Sequence, residues 1–141
     1  MDNIGKIEKI VAWYGGLPKD YTDVESMLYA RKQLSTALFS FAGEVGDLYA
    51  DKISAEFRRK SKIDRLTTEH ITGGDSAAAA EKKAKDEAIE EAKQEVVADG
   101  LWKKADLLRI HAFAILDTMN QHISSLKQER RLEATAQGSQ Q

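Results

Sequence analysis

"EFRRKSKIDRLTTEHITGGDSAAAAEKKAK", residues 56–85, changes character three times. It opens on a basic cluster, Arg58, Arg59, Lys60, Lys62 and Arg65. It loses its hydrophobic rhythm at Gly73-Gly74 and resumes as an alanine- and lysine-rich stretch. Paired glycines between two helix-forming segments mark a turn, and Asp75 or Ser76 offers a side-chain oxygen to cap the helix that follows. The stretch therefore predicts a helix that stops, reverses and starts again. The fold class implied is all-α: a long antiparallel helical hairpin, coiled-coil-like, with a short N-terminal helix.

Outward toward the N-terminus, Val24, Met27, Leu34, Leu38, Phe41, Val45 and Leu48 keep heptad spacing, interrupted only by Arg31. Ile53, Phe57, Ile63, Leu66 and Ile71 continue it as a looser stripe. Thr22-Asp23-Val24-Glu25 has the form of a capping box, which starts this long helix at Thr22 and gives it the span 22–71. Gly43 and Gly46 lie inside the helix, where each costs about 1 kcal/mol relative to Ala, so close approach of another helix is the expected compensation. Ile4, Ile7, Ile10, Val11 and Tyr14 give a short amphipathic helix over 2–14, ended by Gly15-Gly16.

Outward toward the C-terminus, Ala77, Ala80, Ala84, Ala88 and Ala92 form a small-residue face. Leu101, Ala105, Leu108, Ala112, Ile115, Met119, His122 and Leu126 then sustain a heptad seam, giving a second long helix over 76–131. The polar tail 132–141 is expected to fray. Folding at the glycines sets residue i beside residue 147−i, so the heptad stretches meet each other and Ile53, Phe57, Ile63 and Leu66 meet the alanine face. The chain of 141 residues is expected to form a single helical domain. Phe39, Tyr49, Trp102, Leu107, Ile110 and Phe113 fall off the seam and call for a further surface. A homo-oligomer is the expectation.

Composition narrows the chemistry. Net charge is −2, so attraction to nucleic acid has to come from a local patch. There is no cysteine, which excludes disulfides and thiolate metal sites. No run of roughly 18 apolar residues and no signal-peptide pattern occurs, so a cytoplasmic protein without a membrane partner is expected. Glu44 and Asp47, with Glu87 and Glu90, have the i, i+3 spacing that holds Mg²⁺ in helical nucleotide pyrophosphohydrolases. The hairpin register separates the two pairs and surface ion pairing explains them better, so no catalytic residue, metal or cofactor is assigned. His70, His111 and His122 are too far apart for a metal site, and Gly73-Gly74 lacks the ending of a phosphate loop.

The basic cluster remains. Arg58, Lys62 and Arg65 share one helix face, with Arg59 and Lys60 beside them and Lys82, Lys83 and Lys85 across the proposed turn. Such a row can follow a phosphate backbone and release counterions. The opposing reading is an ion-paired surface, with Asp86, Glu87, Glu90 and Glu91 as partners.

Lys62-x-x-Arg65-Leu66 within "DRLTTEHITGG", followed by a lysine-bearing helix and a heptad segment, resembles the UvsY recombination-mediator family of tailed phages. The resemblance implies an oligomeric, non-enzymatic protein that binds single-stranded DNA and helps load a recombinase in the host cytoplasm. It implies strand contacts by Arg58, Lys62 and Arg65, with Arg59 and Lys60. It implies assembly through Leu101, Leu108, Ile115, Met119 and Leu126. Where the family has paired tyrosines, Thr67 and Thr68 stand here. The alternative is a helical scaffold or adaptor that binds a protein partner through its heptad or acidic faces.

Overall fold

The computed structural model describes residues 2–139. These residues form four helices and no strand: α1 (Asn3–Gly15), α2 (Val24–Thr72), α3 (Ala77–Glu87) and α4 (Ile89–Ser139). They fall into two compact units, Met1–Gly43 with Leu107–Gln141, and Glu44–Asp106.

Local chemistry sets the helix ends. The Asp2 carboxylate accepts from the Gly5 N–H at 2.6 Å and starts α1. Asp23, not Thr22, starts α2: its carboxylate accepts from the Ser26 N–H at 3.2 Å and the Ser26 hydroxyl at 2.7 Å. A carboxylate aimed at free helix N–H groups is the stronger cap, and those bonds hold the Asp23 carboxyl below its ordinary pKa. At the turn Gly74 adopts φ 106°, a conformation glycine takes without a Cβ clash. Ser76 then caps α3, its hydroxyl accepting from the Ala79 N–H at 3.2 Å.

Two boundaries differ from the sequence expectation. The helix expected over 76–131 is broken at Ala88, whose ψ of 17° leaves the helical well. The break is a one-residue distortion, because the Ala84-to-Ala88 and Ala88-to-Ala92 backbone bonds across it remain at 3.0 Å. The tail expected to fray is instead the last part of α4 as far as Ser139; Gln140 and Gln141 lie outside the described residues. Leu-Glu-Ala-Thr-Ala-Gln has no apolar seam, but apart from Thr its residues are strong helix formers.

The first unit has an apolar core. Ile7 of α1 is fully buried with Met27, Leu34, Leu38 and Phe41 of α2 and Ala112, Met119 and Ile123 of α4. Asn3 Nδ2 donates to Ser40 Oγ at 2.9 Å and Arg31 Nη1 to Asn120 Oδ1 at 3.3 Å. The Tyr14 ring packs edge-on against His122 with centroids 6.3 Å apart, and burial raises the Tyr14 pKa. The α4 seam steps from Met119 to Ile123, not to His122, which is half-buried at its edge.

The second unit is held differently. Its buried apolar residues are mostly small: Ala55, Ala80, Ala84, Ala88 and Ala105, with Val45 at one end. Ile63 and Leu66 are half-buried. Ile53 and Phe57, expected to fill the space over the alanines, face outward and are 43% and 70% exposed. The inward stripe of α2 here runs Lys52, Ala55, Arg59, Lys62 and Leu66, and three of those positions are charged.

Candidate functional site

The charged stripe inside the second unit decides what the basic cluster does. Lys52 Nζ lies 3.5 Å from the Asp99 carboxylate, and Lys62 Nζ lies 2.9 Å from that of Glu91. Arg59 pairs with Glu95 through its Nε. His70 Nε2 sits 2.7 Å from Glu87. Lys52 also lies over the Trp102 ring at 4.5 Å, beside a Tyr49–Trp102 ring pair at 5.3 Å. Partner numbers fall along α3 and α4 as they rise along α2, but not in the register 147−i. That register put residues 95, 88 and 85 beside Lys52, Arg59 and Lys62; the partners found are one to two helical turns further on.

These contacts shift charge in the expected directions. The Lys62 ammonium holds Glu91 below its ordinary carboxylate pKa. Lys103, with a smaller effect from Lys52, does the same for Asp99. The hydrogen bond to Glu95 raises Arg59.

The eight cations of the sequence-derived patch therefore divide. Arg59 and Lys62 are half-buried and ion-paired across helices, which for these two is the ion-paired reading of the cluster. Glu95 and Glu91 are their partners; the acids expected opposite Arg58 and Arg59 included Glu91 but not Glu95. Lys60 pairs with Glu56 at 2.6 Å, Arg65 with Glu69 at 3.9 Å and Lys85 with Glu81 at 3.0 Å, each one turn away on its own helix. Lys83 reaches Asp75 at 2.9 Å. Arg58 and Lys82 are exposed, and neither makes an ion pair among the described residues. The same-helix pairs are exposed and each contributes about 0.3–0.5 kcal/mol, so a phosphate can displace them.

The assembly residues also divide. Met119 and Leu126 are buried inside the first unit and Ile115 and Leu108 are half-buried, so Met119 and Leu126 serve this chain's own core. Leu101 is 53% exposed and borders an open groove with Val97, Leu48 and Lys93.

One feature lay outside the sequence reading. On the first unit, Lys6, Lys9, Trp13, Tyr21 and Tyr29 line an open groove of about 830 Å³, with Glu25 at its edge. Trp13 and Tyr21 meet edge-on at 6.0 Å. Tyr21 and Tyr29 join Trp13 only through the turn into α2, so no local spacing in the sequence signals the group.

Among the described residues no three His, Cys, Asp or Glu side chains come close enough to hold a metal ion. Among them, too, no helix is long and apolar enough to cross a membrane. Comparisons with protein-family models, curated proteins and solved structures find no match.

Proposed function

We propose that this chain is a non-catalytic helical-hairpin protein that works as a homo-oligomeric scaffold. In this reading α2 reverses at Gly74 and packs antiparallel on α3 and the first part of α4. The observation that carries it is the inversion of the second unit. Lys52, Arg59 and Lys62 occupy its inner stripe, while Tyr49, Ile53, Phe57, Val96, Val97 and Leu101 face outward. A lone chain gains nothing from large apolar side chains in water, whereas assembled copies bury them. Sedimentation of the full chain over a range of concentrations tests this: a mass that rises toward a fixed multiple supports assembly, and a single-chain mass throughout overturns it.

A second reading, single-stranded nucleic-acid binding by a recombination-mediator-like protein, is favoured by two observations. Lys60, Arg65, Lys83 and Lys85 stay exposed behind weak partners, and Lys82 is exposed with no ion pair among the described residues. The Trp13–Tyr21–Tyr29 groove beside Lys6 and Lys9 offers the stacking surface that Thr67 and Thr68 do not. Titration of labelled single- and double-stranded oligonucleotides at low and moderate salt tests it. Strand binding that falls steeply with salt, and is lost in Arg65→Ala/Lys82→Ala/Lys85→Ala with helicity intact, supports it. No binding at low salt removes it and leaves the scaffold.

A further inference from the structure

The outward face of α2 in the second unit carries its own seam. Gly46, Ala50, Ile53 and Phe57 follow spacings of four, three and four on the side opposite the inner stripe. A Cβ built on Gly46 would meet nothing within 4 Å, so none of the described residues needs the glycine to be small. Within an uninterrupted helix that glycine costs about 1 kcal/mol relative to Ala. Two large apolar side chains one turn apart, and two small ones the next turn back, form a surface complementary to its own reverse.

From this we infer that two copies pair through this face, antiparallel, about a two-fold axis near Asp51–Lys52. Gly46 then receives the partner's Phe57, and Ala50 the partner's Ile53. Asp47 and Arg58 mark the occupant as a second copy. They lie eleven residues apart, about three turns, and so share one edge of the seam. Neither side chain makes an ion pair or hydrogen bond among the described residues. About that axis Asp47 and the partner's Arg58 fall on the same edge, offset by two residues, about 3 Å of rise and within side-chain reach, and the symmetry repeats the pair on the far side of the axis. The inference rests on the homo-oligomer reading and specifies its contact; it commits Arg58 to that contact and leaves the strand-binding set as named above.

The test uses the full chain and its lack of cysteine. Phe57→Glu should abolish the pair in sedimentation while far-UV circular dichroism keeps its helical signal. Asp47→Arg and Arg58→Asp should each weaken the pair about tenfold, since each breaks two symmetry-related ion pairs. The double reversal should restore it. Ala50→Cys, close to its own symmetry mate, should cross-link with a short bis-maleimide. An oligomer that survives Phe57→Glu and leaves Ala50→Cys unlinked overturns this face while keeping the scaffold reading. A wild-type chain of single-copy mass overturns both.

Discussion

Arg59 and Lys62 look in sequence like members of one cationic row with Arg58 and Arg65, yet they do a different job. Helix rotation turns them inward to Glu95 and Glu91, while Arg65 finds only Glu69 on its own surface. The two kinds of cation should separate on mutation. Arg59→Ala/Lys62→Ala should lower the melting temperature by several degrees, because each substitution leaves a carboxylate beside the other helix with no cation. Arg65→Ala should leave it within a degree or so, as exposed same-helix pairs do. The acid side follows with a definite sign. Glu91 and Asp99 have folded pKa values below their unfolded ones. Their contribution is complete above the unfolded carboxylate range, about pH 4, and is lost as pH falls through the depressed folded values. Thermal melts followed from neutral pH down to about pH 3 should show the second unit weakening below about pH 4, with Glu91→Gln removing part of that dependence.

Whole elements were more legible than their rotation. The seam Val24–Met27–Leu34–Leu38–Phe41–Val45 is buried because apolar residues at heptad spacing have one shared side to hide. Past Leu48 the same logic chose Ile53 and Phe57 for the interior, where the chain places Lys52, Arg59 and Lys62. A pattern read from hydrophobicity cannot prefer a charged stripe to an apolar one; only partners that close the charge make it stable, and those partners lie tens of residues away in sequence. The candidate site was legible as a cluster and not as a surface for the same reason. Local signals at the turn were plain, since a glycine pair and a serine need no distant partner. Ser76→Ala should therefore cost about 1 kcal/mol in denaturant unfolding. Gly100, inside α4 with nothing within 4 Å of a built Cβ, should respond the other way: Gly100→Ala should stabilise by up to about 1 kcal/mol. A loss of stability there would mean that another surface approaches α4 closely.

Across the molecule the two units draw on different forces. The first buries Phe41, Leu34, Met27, Met119 and Ile123, and truncations such as Leu34→Ala should cost about 2–5 kcal/mol whatever the protein concentration. The second unit has little apolar volume of its own, so in the proposed assembly much of its protection comes from a neighbour. Mass action then gives the units different concentration dependences. In hydrogen exchange at neutral pH, amides of residues 27–41 and 112–126 should be protected equally in dilute and concentrated samples. Amides of 46–57 should lose protection on dilution below the association range, and should lose it at every concentration in Phe57→Glu. Added salt sharpens the contrast, because it screens the half-exposed ion pairs and leaves apolar contacts between copies in place. Protection of 46–57 that ignores both dilution and Phe57→Glu would mean that the inner stripe of ion pairs and alanines is sufficient by itself, and that the outward apolar residues serve some partner other than a second copy.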